Sequence, residues 1–93
     1  MYYVYVLQST KNQKRYIGST GFLPEERCKQ HNAGSNQWTK SNRPFVLIYH
    51  EAYVTNTEAR KRENFLKSGV GRKIINQILE DLRVSAKGGS ASG

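Results

Sequence analysis

Arg27 and His31 lie four positions apart and are a pair whose side chains could do chemistry together. In a helix, residues at i and i+4 project from the same face, so a guanidinium would lie beside an imidazole. Such a pair can hold an anion and exchange a proton. The alternative is a solvated helix face, to which Lys29 and Gln30 belong, and the pair taken alone favours that alternative.

Glu63 places a carboxylate where its helix should be apolar. Ala59, Glu63 and Leu66 fall at i, i+4 and i+7 in a segment that is otherwise full of charge. A buried carboxylate is costly unless it is paired or bound to a metal, so this position indicates a site. In the alternative, Phe65 and Arg62 form the buried stripe and Glu63 lies at its edge. The pattern fits the two interpretations equally.

Tyrosines are concentrated in the first segment of the chain. Tyr3, Tyr5 and Leu7 share one face of a predicted strand, and Tyr16 lies on the next strand. If Tyr5 and Tyr16 point to the same face, their hydroxyls form a polar cluster on the sheet. Tyrosine is also an ordinary strand residue, so no single one of them indicates a site.

The elements that must position these residues are short. The sequence predicts strands at residues 2–8, 15–20 and 45–53, and helices at residues 24–32, 58–67 and 72–83. The continuous apolar start of the third strand predicts that it is central and well buried, and residues 35–44 have the composition of a polar loop. The order predicts an α+β fold, a small three-stranded, mainly antiparallel sheet flanked by about three helices.

Composition limits the class of protein. Fifteen Lys and Arg against seven Asp and Glu give a net charge of +8, which favours a polyanionic partner. The single cysteine, Cys28, excludes an internal disulfide and a zinc site built from cysteines. No apolar run approaches the roughly 20 residues of a membrane span, and the N-terminus lacks signal-peptide features. We therefore expect a reducing, cytoplasmic setting without a membrane partner.

The end of the sequence differs in composition from the rest. From Val84 onward it is rich in Gly, Ser and Ala and has almost nothing to bury. We expect a folded domain at residues 1–84 and a flexible C-terminal tail at residues 85–93.

Several short segments, taken in order, match one set of motifs. They are Tyr3-Val4-Tyr5, Tyr16-Ile17-Gly18, Arg27–Asn32, Thr39–Pro44 with Tyr49-His50-Glu51, and Glu58–Lys67. Together they resemble the GIY-YIG nuclease family from Tyr2 to about Leu82, and within it the small stand-alone bacterial members and the branch that cuts branched DNA. The second motif is unaltered, whereas Tyr3 replaces the leading glycine of the first, and Ser19 stands where some members carry lysine.

The step from Tyr16 to Arg27 is one residue longer than the usual spacing of the family. We expect residues 22–25, before the helix, to absorb the extra residue. An extra residue inside the helix would rotate Arg27 away by about 100°.

The resemblance implies a metal-dependent DNA endonuclease of the GIY-YIG fold, acting in DNA repair or processing. Its catalytic residues would be Tyr5, Tyr16, Arg27, His31 and Glu63. Glu63 would hold a single Mg²⁺ or Mn²⁺ ion, because one acidic ligand cannot hold two metals, and Arg27 would hold a phosphoryl oxygen. Tyr5 would be the base, its pKa lowered by positive charge, with Tyr16 orienting water or phosphate. His31 would accept a hydrogen bond from Tyr5 or be the base itself.

A DNA substrate would be bound through its backbone, with weak sequence specificity or a preference for branched, flapped or single-stranded structure. The residues expected to contact it are Gly18, Ser19, Arg60, Lys61, Lys67, Arg72 and Lys73. Trp38 would stack on an unpaired base or, equally well, pack against the sheet. We expect a monomer or weak homodimer, with or without a partner protein. Two alternatives remain: a nucleic-acid-binding domain of the same fold without activity, and a protein-interaction domain with a structural polar network.

Overall fold

The computed structural model describes residues 1–34 and 37–92, and their side chains except those of 38, 39 and 84–92. The chain divides into two compact units, Met1–Glu63 and Asn64–Gly93. The elements in chain order are β1 (Tyr2–Ser9), β2 (Arg15–Thr20), α1 (Pro24–Asn32), α2 (Gln37–Asn42), β3 (Phe45–Tyr53), α3 (Asn56–Lys67) and α4 (Gly69–Ser92). The three strands form one antiparallel sheet, so the predicted α+β class is confirmed.

The strand order is β2-β1-β3, which places β1 in the centre of the sheet. The prediction that the third strand is central and well buried is therefore wrong. Val4 to Leu7 of β1 are all buried, as a strand covered on both faces requires, whereas Phe45 is the one buried residue of β3. A run of apolar residues indicates hydrophobicity but not how many strands lie beside it. Val46, within that run, is 46% exposed.

Helix α1 has the bounds predicted for it, Pro24 to Asn32. Pro24 lies in the first turn, where its missing N–H costs no hydrogen bond, and Gly34 has the positive φ of +85° that a helix end often requires. Asn32 joins the helix to β3: its Oδ1 accepts from the Phe45 N–H at 2.6 Å, and its Nδ2 donates to the Phe45 carbonyl at 3.0 Å. These bonds fix α1 on the sheet and orient its side chains.

Helix α2 corrects the prediction of a loop at residues 35–44. Apart from Trp38 its sequence is polar, so it has no apolar periodicity to detect. The described contacts at its end are hydrogen bonds to the turn between β1 and β2, where the buried Ser9 hydroxyl donates to the Asn42 carbonyl at 2.5 Å. Asn12 Nδ2 donates to Asn42 Oδ1 at 2.7 Å. Long-range bonds of this kind leave no local signal in the sequence.

The start of α3 has a side-chain cap. The Thr55 hydroxyl accepts from the Glu58 N–H at 3.2 Å, and the helix begins at Asn56, two residues before the predicted start. In the second unit, Ser68 Oγ accepts from the Gly71 N–H at 3.1 Å at the start of α4. A Cβ on Gly71 would overlap the Phe65 carbonyl, so this close approach requires glycine.

Helix α4 begins three residues before the predicted start at Arg72 and continues to Ser92, past its predicted end near Arg83. The division into a domain at 1–84 and a tail at 85–93 stays a prediction. Among the described helices, none has both the length and the apolar character needed to cross a bilayer.

Candidate active site

Tyr5 is a buried tyrosine of the central strand, with only 1% of its surface exposed. Its hydroxyl lies 2.9 Å from His31 Nε2. On β2, Gly18 is directly opposite, and a Cβ at that position would lie 2.5 Å from the Tyr5 hydroxyl oxygen. The glycine of the second motif therefore leaves the space that the hydroxyl occupies.

His31 is fully buried and contacts both tyrosines. Its ring centroid lies 5.8 Å from that of Tyr5 and 4.6 Å from that of Tyr16, and the two tyrosine rings stack at 6.2 Å. The expectation that Tyr5 and Tyr16 share a face, and that His31 pairs with Tyr5, agrees with this geometry. His31 is itself shielded from solvent.

The protonation states of this pair follow from burial. Burial, together with the charge of Arg27, lowers the pKa of His31 to about 4, so the imidazole is neutral near neutral pH. Burial raises the pKa of Tyr5 to about 12, although a hydrogen bond from Arg27 and its charge act in the opposite direction. The expectation that the Tyr5 pKa is lowered is therefore wrong: Arg27 does act to lower it, but desolvation outweighs that effect.

An open groove of about 490 Å³ runs along β2, one of the two edge strands of the sheet. Its described lining is Tyr5, Tyr16, Gly18, Ser19, Thr20, Gly21, Phe22, Arg27, Asn56, Arg60 and Glu63. Four of the five predicted catalytic residues meet there, and His31 lies behind Tyr5. Arg27 lines the groove, as expected if residues 22–25 absorb the extra residue of the connector.

Glu63 is half-buried, on the side of α3 that faces Ser19 of β2. Ala59 and Leu66 are fully buried, whereas Phe65 is 38% exposed, so the apolar stripe contains Ala59 and not Phe65. Ser19 Oγ donates to Glu63 Oε1 at 2.5 Å, which holds the carboxylate against β2. The interpretation that the helix turns this carboxylate inward is the one that agrees with the structure.

The oxygen atoms that the groove lining offers suit a hard divalent cation. The groove lining offers the Glu63 carboxylate, the Ser19 hydroxyl and the Asn56 amide oxygen, which are the ligand types that Mg²⁺ and Mn²⁺ prefer. Within the described residues, no group of three or more His, Cys, Asp or Glu could hold a metal together. The donor set therefore fits one ion that keeps most of its water shell.

The predicted DNA-binding residues fall into four sets. Gly18, Ser19 and Arg60 line the groove, and Lys61 is exposed on α3 outside that lining. In the second unit Lys67, Arg72 and Lys73 are exposed, and their role in DNA binding stays a prediction. The side chain of Trp38 lies outside the described part of the structure.

Four residues of the described groove lining were not predicted as site residues from the sequence: Thr20, Gly21, Phe22 and Asn56. Asn56 precedes Arg60 and Glu63 by one and two helical turns, so the i, i+4, i+7 spacing could have indicated it. Phe22 lies in the connector before α1, where no periodicity exists to indicate its direction.

A second polar network joins α3 to β3 beside this site. Arg62 binds both carboxylate oxygens of Glu51, at 2.9 and 3.1 Å, and the hydroxyls of Tyr49 and Tyr53 each donate to Glu51 at 2.6 Å. Burial alone would raise the pKa of Glu51, but these hydrogen bonds lower it below its ordinary value. The network fixes the rotation of α3 at the residue preceding Glu63.

Comparison with known proteins agrees with this geometry. Residues 1–76 match the family model described as the GIY-YIG catalytic domain. A UPF0213 protein of Staphylococcus haemolyticus is 38% identical over 80 residues, covering 85% of this chain and 95% of the relative. One from Bacillus pumilus is 33% identical over 84 residues, covering 89% and 83% respectively. No solved structure matches.

Proposed function

The chain belongs to the GIY-YIG nuclease family, and from this membership we propose that it is a metal-dependent DNA endonuclease that hydrolyses phosphodiester bonds in the groove beside β2. The observation that carries the proposal is the meeting of Tyr5, Arg27 and Glu63 in one open groove. A phosphate there would have a guanidinium, a phenol and a carboxylate around it. The net charge of +8 supports a polyanionic substrate.

In this proposal each charged residue of the groove has a separate role at the phosphate. Arg27 binds a non-bridging oxygen and stabilises the charge that develops there. Glu63, held by Ser19, would carry a Mg²⁺ or Mn²⁺ ion, which when bound neutralises a phosphoryl oxygen and the leaving oxygen. Arg60 lines the same groove and would contact the neighbouring backbone.

Tyr5 and His31 would share the proton of the attacking water. As the water oxygen forms its bond to phosphorus, its proton passes to the Tyr5 oxygen, and the Tyr5 proton passes to Nε2 of the neutral His31. This relay avoids a free phenolate, which a pKa of about 12 makes rare at neutral pH. Tyr16, beside the pair, would orient the water, and the leaving alkoxide takes a proton from solvent.

The proposed substrate is DNA that is branched, flapped or otherwise structured, cut with weak sequence specificity during repair or processing. The groove is open, and its two arginines, Arg27 and Arg60, suit contacts to phosphates, which carry no sequence information. A cytoplasmic setting and a monomeric or weakly dimeric state belong to the same proposal.

A panel of branched, flapped, nicked, duplex and single-stranded DNAs tests the proposal, each incubated with Mg²⁺, Mn²⁺ or EDTA. We expect cutting of at least one structured DNA that depends on the ion and stops in EDTA. Binding to the whole panel without any cutting would overturn the proposal in favour of an inactive nucleic-acid-binding domain. Absence of binding at moderate salt would favour a protein-interaction domain.

A further inference from the structure

Phe22 is an exposed aromatic side chain in the lining of the catalytic groove. It is 59% exposed although it lines the same groove as Arg27 and Glu63. An aromatic side chain that is exposed at a binding groove gains free energy when another molecule covers it. Its neighbour Leu23 is exposed to a similar degree, 54%, but does not belong to the described groove lining. Phe22 therefore differs from Leu23 in its position at the groove and not in its exposure.

The connector that carries Phe22 is fixed at both ends. The Phe22 N–H donates to Thr20 Oγ1 at 3.0 Å at the end of β2, and α1 begins two residues later at Pro24. Between these points, Gly21 lies near the Tyr2 ring. A Cβ at this position would lie 3.5 Å from the ring, which is an ordinary contact. These contacts hold the backbone of Phe22 in a defined place at the groove.

The surroundings of the ring indicate which molecule would cover it. The groove binds a phosphate in the proposed function, and the bases on either side of that phosphate must lie near its rim. In a duplex, each base has both faces covered by its neighbours. A base that is unpaired at a flap, a branch or an end has a free face that can stack on an aromatic ring.

We propose that Phe22 forms a stacking subsite for an unpaired base next to the scissile phosphate, and that this subsite directs the enzyme to flapped and branched DNA. The inference rests on the proposed function and adds the substrate feature that the groove selects. Stacking on an aromatic ring of this kind is worth roughly 5- to 100-fold in affinity, enough to select among DNA structures. The subsite reads shape rather than sequence, because every base has a flat face.

The test compares Phe22→Ala with Phe22→Trp, and with Leu23→Ala as the matched control. Substrates are a duplex, a flap of the same sequence, and that flap with an abasic site at each of the first three unpaired positions in turn. We expect Phe22→Ala to raise KM for the flap roughly 5-fold or more relative to any change in KM for the duplex. Phe22→Trp and Leu23→Ala should keep the preference, and one abasic position should abolish it in the wild type.

Equal loss of flap and duplex cutting in Phe22→Ala would overturn the subsite, as would no loss at all. If the wild type cuts none of these DNAs, the proposed function fails, but the subsite is still tested by fluorescence anisotropy in EDTA. In that measurement the wild type should bind the flap more tightly than Phe22→Ala does, and an abasic flap should remove the difference. Equal affinities would overturn the inference.

Discussion

At the scale of single residues, the site depends on a hydroxyl and an imidazole that are both buried. The Tyr5 hydroxyl and His31 Nε2 are hydrogen-bonded at 2.9 Å, and Gly18 leaves the space in which they meet. A buried polar pair is stable because each group satisfies the other, and the loss of one partner leaves the second without compensation.

Gly18→Ala should disturb this pair directly. The added Cβ would lie 2.5 Å from the Tyr5 hydroxyl oxygen, so the buried ring must move. We expect a loss of roughly 1–3 kcal/mol in the free energy of unfolding, measured by urea denaturation, and a large loss of cutting. Gly21→Ala is the matched control, because its Cβ would make only an ordinary contact of 3.5 Å. Equal stabilities of the two variants would contradict this account.

The neutral His31 predicts how stability depends on pH. The folded-state pKa, about 4, lies below the ordinary value of 6.5, so the unfolded chain binds more protons between these values. The free energy of unfolding should therefore be highest above pH 6.5 and fall by roughly 2–3 kcal/mol as the pH decreases to about 4. His31→Gln should remove most of that slope, and His50→Gln, which replaces the other histidine, should retain it. A slope that survives in His31→Gln would refute the assignment.

The sequence predicted much of this site at the residue scale. Tyr5, Tyr16, Arg27 and Glu63 were expected together, and all four line the groove. The burial of His31 and the raised pKa of Tyr5 could not be predicted, because both depend on the packing of residues far apart in the chain.

At the scale of elements, the rotation of α3 decides where Glu63 points. Arg62 forms two hydrogen bonds to Glu51 on β3, and the Arg62 and Glu51 side chains are 29% and 15% exposed. Glu63 itself is held by Ser19 on β2. Arg62 and Glu63, which are adjacent in the helix, thus fix it through polar contacts to two different strands.

Glu51→Gln should destabilise the fold, because it removes the charge that Arg62 and two tyrosine hydroxyls share. We expect a loss of roughly 1–3 kcal/mol in urea denaturation at neutral pH, less than for a fully buried pair because Arg62 is partly solvated. The effect should shrink at low pH, where Glu51 is protonated in the parent as well. Glu80→Gln is the control, since its pair with Arg83 is exposed and should change stability by about 0.5 kcal/mol or less. A similar change in both variants would show that the network contributes little.

The elements could be predicted where their ends carry local signals. Pro24 and Gly34 mark the two ends of α1, and Thr55 caps α3. The order of the strands and the polar α2 depend on contacts between distant segments. The sequence therefore predicted three strands correctly but chose β3 instead of β1 as the central one.

At the scale of the whole molecule, the net charge of +8 governs the encounter with DNA. Each phosphate that is neutralised releases about 0.9 counterion from duplex DNA. We expect affinity, measured by fluorescence anisotropy between about 50 and 200 mM salt, to fall with a logarithmic slope of roughly −3 or steeper. Lys61→Gln should make this slope shallower by about one unit without stopping catalysis at saturating DNA. Binding that is insensitive to salt would count against a backbone-binding surface.

The central claim is that the groove beside β2 cuts DNA through Arg27 and Glu63. Its most direct test is the initial rate of plasmid nicking in Mn²⁺ by the wild type, Arg27→Ala and Glu63→Ala, each at saturating protein. The account predicts a loss of roughly 100-fold or more in both variants, because each removes a charge that acts on the reacting phosphate. If both variants nick as fast as the parent, the groove is not the active site.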